Sequence, residues 1–249
     1  MDSPAAQRLL SDEQVEAFHH DQFVKDQTRH FMALVGSQVP ADKVVVDVGG
    51  GCGFFAQRLA HLAGHKVKVI DMDLASVAAC HRAGIDAVRG DALIPRIEGN
   101  ESIVCFNLIL HHLIAATEQG TRRLQRAALE AWCRQADAVF VNEYIYESYA
   151  ANLSGWLIFQ ITKSRVLSWI GRKVSAIVPA FRANTFGVGV RFRAHREWLE
   201  LFSSAGYELA SSKIGTEERV SPPLRLLLIR RIRRDSFLLR PRTSAQTST

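Results

Sequence analysis

The 249-residue sequence predicts an α/β fold: a doubly wound, mostly parallel sheet of seven strands, with a helical insertion after the fifth strand. Three observations predict it. Short β-branched runs alternate with helical periodicities along most of the chain. The composition is that of an ordinary globular protein, with 47% hydrophobic and 22% charged residues. One apolar and basic segment, 147–193, breaks the alternation and is too long for a structureless loop.

The first half of the chain carries the clearest element signals. A loose apolar periodicity over 14–35 predicts a helix within an N-terminal helical cap, 1–40. The run Lys43–Val48 is β-branched and bounded by glycine, which predicts a buried first strand. Further elements are predicted in chain order: a helix over 53–62, a strand over 66–70, a helix over 74–83, and strands over 87–88 and 102–107.

The second half continues the alternation around the insertion. The elements predicted there are a helix over 120–135, a strand over 138–144, two amphipathic helices within 147–193, a helix over 196–204, and strands over 207–213 and 224–232. The mostly polar end of the chain predicts a disordered tail. The expected organisation is therefore a cap, 1–40; an α/β core, 41–146; a helical lid insertion, 147–193; the rest of the core, 194–235; and a tail, 236–249.

A glycine-rich loop, Asp47-Val48-Gly49-Gly50-Gly51-Cys52-Gly53, follows the first strand directly. Open α/β sheets bind ligands at the carboxyl ends of their strands, and glycines let a ligand approach the loop backbone closely. The start of the next helix offers N–H groups to a polar or anionic ligand. The dinucleotide fingerprint G-x-G-x-x-G/A would need a small residue at position 54, where Phe54 stands.

The loop instead reads D-x-G-x-G-x-G, and with it the chain resembles class I S-adenosylmethionine (SAM)-dependent methyltransferases. The resemblance covers residues 43–145, and 194–232 more loosely. It implies SAM as the cofactor, with the ribose hydroxyls held by Asp71 and the adenine amino group by Asp91. The full set of cofactor-binding residues that it implies is Asp47, Gly49, Gly50, Gly51, Gly53, Asp71, Met72, Asp91, Ala92 and Asn107.

Candidate catalytic residues lie just past the fourth strand and at the close of the fifth. The segment Leu110-His111-His112-Leu113 resembles the L-H-H-L segment of small-molecule methyltransferases. A hydroxyl acceptor needs a base, and histidine titrates near neutral pH, so His111 and Glu143 are the candidate catalytic residues. A structural role in shaping the loop is the alternative for the histidines. No metal site is expected, because no ligand cluster stands at a suitable spacing.

The charge distribution bears on the acceptor and on partners. Residues 148–196 contain eight basic and no acidic residues, interleaved with Trp156, Phe159 and Trp169. This predicts a small acceptor that is hydrophobic or anionic. A basic amphipathic helix is also typical of membrane-surface elements, so peripheral membrane or lipid contact through 147–193 is a second interpretation. Packing as ordinary core or as a dimer interface is the third, and no oligomeric state is predicted.

The sequence therefore predicts a methyltransferase that acts by in-line displacement on a small acceptor. One alternative is an RNA-directed methyltransferase or a basic nucleic-acid-binding protein, which the pI near 9.4 favours. No base-flipping tetrad follows the fourth strand, so a nucleic-acid partner is not expected. Another alternative is a SAM-binding protein without catalysis. The four cysteines form no C-x-x-C and the start has no signal-peptide pattern, which predicts a cytoplasmic location.

Overall fold

The computed structural model describes residues 21–169, 173 and 189–242. Seven strands form one sheet within this part of the chain: β1 Val44–Val48, β2 Lys66–Asp71, β3 Asp86–Arg89, β4 Glu101–Asn107, β5 Ala138–Ser148, β6 Tyr207–Lys213 and β7 Ile229–Pro241. Their order across the sheet is β3-β2-β1-β4-β5-β7-β6. Strands β1 to β5 pair in parallel, and β7 runs antiparallel to both β5 and β6. The predicted mostly parallel, seven-stranded sheet is confirmed.

Helices cover both faces of this sheet. They are α1 Asp21–Leu34, α2 Phe54–Ala63, α3 Leu74–Arg82, α4 Glu118–Trp132, α5 Leu153–Lys163, α6 His195–Ser204 and the short α7 Pro222–Arg225, with 3₁₀ turns at Gly36–Gln38 and Leu110–His112. Phe31, Phe55 and Val77 bring α1, α2 and α3 onto one face, against Val45 and its neighbours. A second core lies on the opposite face, where α4 and α6 contribute Leu129, Trp132, Trp198 and Leu201. The alternation of side chains along each strand thus fills two cores, as in a doubly wound sheet.

The end of the chain is a correction to the sequence prediction. A strand over 224–232 and a disordered tail from Ser236 are wrong, because β7 begins at Ile229 and continues to Pro241. Phe237 and Leu239 pack into the α4 and α6 core, while Leu238 packs into the opposite core. Burial of these three side chains outweighs the polar residues around them. Residues 243–249 lie outside the described part of the chain.

The insertion starts later than its sequence pattern suggests, because β5 extends to Ser148. Helix α5 follows, and a further helical turn spans 165–169. Most of the second predicted helix falls on residues outside the described part. The chain is described again from Gly189, and Arg193 then forms a parallel bridge with Ile145 of β5. The returning segment therefore lies along the carboxyl-terminal half of β5, beside the edge where parallel sheets bind ligands.

Candidate active site

The glycine loop between β1 and α2 leaves room for a ligand to approach its backbone closely. Gly51 has φ +54°, in the left-handed region, and no atom lies within 4 Å of where a Cβ would stand. Its N–H donates to Asp71 Oδ2 at 2.9 Å. A Cβ on Gly50 would lie 2.5 Å from Asp47 Oδ2, and one on Gly49 would overlap the side chain of Ile109. The loop therefore needs glycine for its own packing, and its Gly51 side is open.

Asp71, the last residue of β2, is held in one orientation by backbone donors. Oδ2 accepts from the Gly51 N–H and Oδ1 accepts from the Asp73 N–H, both at 2.9 Å. Burial raises the pKa of Asp71, and these backbone hydrogen bonds oppose the shift. Each carboxylate oxygen can still accept a further hydrogen bond, so two adjacent hydroxyls could be bound together. Met72, the next residue, is 40% exposed.

The turn after β3 lies beside Asp71. The Gly90 N–H donates to the Asp71 carbonyl at 3.0 Å, and Asp91 Oδ1 accepts from the Leu93 N–H at 2.9 Å. The neighbouring carbonyl of Ala92 accepts from the Trp132 indole N–H at 2.9 Å. The turn therefore places Asp91 next to Asp71, and the hydrogen bond from Trp132 of α4 holds the turn in position.

Asp47 and Asn107 join the carboxyl ends of β1 and β4. Asn107 Nδ2 donates to Asp47 Oδ1 at 3.0 Å. The other two acceptors, Asp47 Oδ2 and Asn107 Oδ1, are buried and have no hydrogen-bond partner in the described residues. Buried polar atoms are normally satisfied, so two unpaired acceptors on neighbouring strands indicate a place for a donor group. The sequence predicted both residues, but not that they touch.

The environment of Asp47 makes stability depend on pH. Burial raises the pKa of Asp47 from 3.8 to about 7, against the opposing hydrogen bond from Asn107. Between these two values the folded chain keeps a proton that the unfolded chain has lost. Stability therefore falls as pH rises from about 4 to about 7 and then levels off. We expect Asp47→Asn, which retains the Asn107 contact, to remove this slope and to gain up to about 4 kcal/mol at pH 8.

Urea unfolding of both proteins at pH 5 and pH 8 measures this difference. Asp86→Asn is the matched control, because Asp86 is an exposed strand residue. Equal responses to pH in the wild type and Asp47→Asn would show that Asp47 is ionised without penalty.

His111, in the turn after β4, and Glu143, in the middle of β5, form a buried pair. His111 Nδ1 lies 2.7 Å from Glu143 Oε2, and the Leu110 N–H donates to Glu143 Oε1 at 2.7 Å. Both side chains are buried. The turn that carries His111 follows Leu108, which has φ +56° and donates its N–H to the Asn142 carbonyl at 2.8 Å. A leucine in the left-handed region is strained, as is common at functional sites.

Aromatic side chains surround this pair. The Phe192 ring lies 4.9 Å from His111 and stacks on Tyr146 at 4.3 Å. Tyr144 meets His111 edge-on at 6.0 Å. Burial lowers the pKa of His112 well below its usual range, and the neighbouring His111 lowers it further, so His112 is neutral at neutral pH. Neither ring is among the residues predicted from the sequence: Tyr146 closes the predicted core segment 41–146, and Phe192 lies in the predicted lid 147–193.

A buried ionic cluster fixes the segment that carries Phe192. The Arg191 side chain contacts Glu118 at 2.7 Å and Glu197 at 3.0 Å. Arg193 donates to Gln125 at 2.8 Å and to Glu118 at 2.9 Å. The backbone N–H of Arg191 also donates to the His111 carbonyl at 2.9 Å. The sequence prediction counts both arginines among the eight bases that indicate an anionic acceptor or membrane contact, yet in the structure they tie the returning segment to α4, α6 and the His111 turn.

Two absences apply to the described ranges. No group of three or more His, Cys, Asp or Glu side chains among residues 21–169, 173 and 189–242 is arranged to hold a metal ion. No helix there combines the length and the apolar character that crossing a bilayer requires.

Comparison with known proteins identifies the fold. The sequence matches no protein-family model and no curated protein. Among solved structures it is similar to the MccD protein, with a TM-score of 0.60 and 11% identity over 88% of this chain and 97% of that one. For the [4+2]-cyclase SpnF the TM-score is 0.56 and the identity 14%, over 90% of this chain and 82% of that one. For magnesium protoporphyrin IX methyltransferase (ChlM) from Synechocystis PCC 6803, solved with bound SAH, the TM-score is 0.54 and the identity 14%, over 94% of this chain and 90% of that one.

These similarities show that the chain has the Rossmann-like fold of class I SAM-dependent methyltransferases. At 11–14% identity, the fold is the feature that is shared.

Proposed function

We propose that the protein is a SAM-dependent methyltransferase that acts on a small hydrophobic or anionic acceptor. The observation that carries the proposal is the set of groups at the carboxyl ends of β1, β2 and β4. There the open glycine loop orients Asp71, and Asp47 and Asn107 keep two acceptor oxygens without a donor. SAM has a ribose diol and an ammonium group, and these are the donors that this arrangement lacks.

The residues fit this cofactor position by position. Asp71 would accept the two ribose hydroxyls, and Asp91 would accept from the adenine amino group. Asp47 and Asn107 would receive the ammonium of the methionine part, and a nearby positive charge favours the ionised form of Asp47. When bound, SAM supplies a methyl group already activated on a sulfonium, with a neutral thioether as the leaving group.

The chain then has to place the acceptor and remove its proton. Glu143 receives a hydrogen bond from His111 Nδ1–H in the neutral tautomer, which leaves the Nε2 lone pair for the acceptor hydroxyl. His111 Nε2 would take the proton from the hydroxyl of a bound acceptor, and Glu143 would stabilise the imidazolium that forms. Holding the two reactants in line reduces the barrier further.

The walls around His111 indicate the kind of acceptor. Tyr144 and Phe192 present ring surfaces close to its imidazole, and Tyr146 stacks on Phe192. Small-molecule pockets are mostly apolar, with few polar groups that fix orientation. A flat, hydrophobic molecule with one hydroxyl near His111 Nε2 is the acceptor that this arrangement supports.

Calorimetry with SAM and with its demethylated product tests the cofactor assignment. We expect the wild-type chain to bind both, and Asp71→Ala to weaken binding about 100-fold through loss of two hydrogen bonds to a charged acceptor. Asp86→Ala, which removes an exposed carboxylate at the opposite end of the adjacent strand, should bind like the wild type. Failure of the wild type to bind either compound would refute the assignment.

A second candidate is a SAM-binding protein that does not transfer the methyl group. The similarity to a protein named as a [4+2]-cyclase favours it, because the fold is then compatible with another reaction class. Incubation with methyl-labelled SAM and lipid-soluble or aromatic extracts separates the two candidates. Label in a small-molecule product supports methyl transfer, whereas tight binding without any labelled product supports the second candidate.

A further inference from the structure

The outer side of the insertion carries an exposed apolar patch. It consists of Tyr149, Leu153, Trp156 and Leu226, which are 57%, 42%, 43% and 78% exposed. We call these four residues the outer patch. Single exposed apolar residues are common, but a group of large ones that includes tryptophan and tyrosine indicates an interaction surface.

Hydrogen bonds bring the two parts of the outer patch together at the end of β5. Ser148 Oγ donates to the Leu228 carbonyl at 3.1 Å, and the Tyr149 N–H donates to the same oxygen at 3.0 Å. Ser148 Oγ also accepts from the Ser154 N–H at 3.4 Å. These bonds hold the first turn of α5 beside the leucine turn, residues 226–228, which follows α7.

The surroundings of the outer patch are basic. From Arg219 to Arg234 the sequence has six arginines and no acidic residue. Three of the six, Arg231, Arg233 and Arg234, pair with carboxylates of other segments. Arg225 and Arg230 flank Leu226 and Ser148, and both are exposed. Neither forms an ion pair with any residue in the described ranges. Their charges are therefore available to an anionic surface.

On their inner side, α5 and β7 contact Phe192, which packs against the candidate base His111. Ile158 of α5 packs with Phe192, Ile229 and Ile232 in a small cluster. Phe192 in turn lies 4.9 Å from the His111 ring. A continuous set of apolar contacts therefore connects α5 and β7, the elements beside the outer patch, to the His111 ring.

We propose that the outer patch docks on an anionic lipid bilayer. Tryptophan and tyrosine are enriched at the membrane interface, and arginines near the surface add attraction to anionic headgroups. A second copy of the chain fits less well, because a two-fold contact would bring the same arginines together. It follows, resting on the proposed function, that the acceptor is a lipid-soluble molecule that reaches His111 from the bilayer.

Vesicle flotation of the full chain, without cofactor, tests the docking. We expect binding to phosphatidylcholine vesicles that contain phosphatidylserine, and much weaker binding to phosphatidylcholine alone. Arg225→Glu/Arg230→Glu should reduce the partition coefficient at least about tenfold, and Trp156→Glu/Leu226→Glu should do the same. The controls are Arg123→Glu/Arg126→Glu and Leu62→Glu, which change exposed residues of α4 and α2 and should bind like the wild type.

Several results would overturn the docking. The first is that the wild type does not float with the vesicles, and the second is that the patch and control variants lose vesicle binding equally. The third is that a patch variant only converts a dimer to a monomer. Thermal unfolding of each variant establishes that it is folded. Asp71→Ala should lose SAM but keep vesicle binding, so a wrong cofactor assignment and a wrong docking surface give different results.

Discussion

His111→Ala is expected to lower the rate of methyl transfer to a hydroxyl acceptor by about 10²- to 10⁴-fold, which is the range for loss of a general base. The affinity for SAM should remain within about twofold, because the described contacts of His111 are with Glu143 and the aromatic cluster, not with the glycine loop. Single-turnover rates with methyl-labelled SAM and calorimetry on the same protein measure the two quantities separately.

His112→Gln is the matched control, because the His112 ring lies 4.2 Å from that of His111 and has no described carboxylate partner. We expect it to retain at least about a tenth of the wild-type rate. Added imidazole should restore part of the rate in His111→Ala but not raise it in His112→Gln. Equal losses in the two variants, with no rescue, would assign His111 a structural role only.

Arg193→Met is expected to destabilise the fold by about 3–5 kcal/mol, the usual result of removing one partner from a buried ion pair. The Arg193 side chain is fully buried, and its loss leaves Glu118 and Glu197 facing a single remaining arginine, Arg191. The free energy of unfolding from urea titration measures the effect.

Arg196→Met is the comparison for this prediction, since Arg196 lies three residues further along the chain on the exposed side of α6. Its side chain is 90% exposed and pairs only with Glu200 among the described residues. We expect a change below about 0.5 kcal/mol. A loss in Arg193→Met no larger than this would mean that the cluster contributes nothing net to stability.

The parts of the site that the sequence predicted are those encoded by short, local patterns. The strand before Asp47 and the glycines after it form one continuous motif, and Asp71 follows at a fixed distance. Each of these residues is placed by its own strand end, so the parallel order of β1, β2 and β4 brings them together once the fold class is known.

The parts that sequence reasoning missed depend on contacts between distant segments. Phe192 and Arg193 reach His111 and α4 from a segment whose composition resembles an exposed basic helix. Burial of Arg193 depends on Glu118, which is 75 positions away. The leucine-rich run from Leu224 has the composition of a buried strand, but in the structure it forms the end of α7 and the turn before β7. A single chain shows composition and spacing, and neither identifies which charges are paired.

The position of β7 has a consequence for the order of events during synthesis. β7 is the last of the described strands along the chain, yet it lies between β5 and β6 in the interior of the sheet. Both neighbours therefore keep an open hydrogen-bonding edge until residues 229–241 have been made. Open edges of this kind pair readily with other chains, so nascent protein at this stage is the form most prone to aggregate. Chaperones present during synthesis, and the rate at which residues 229–241 are translated, should therefore influence the yield of native protein.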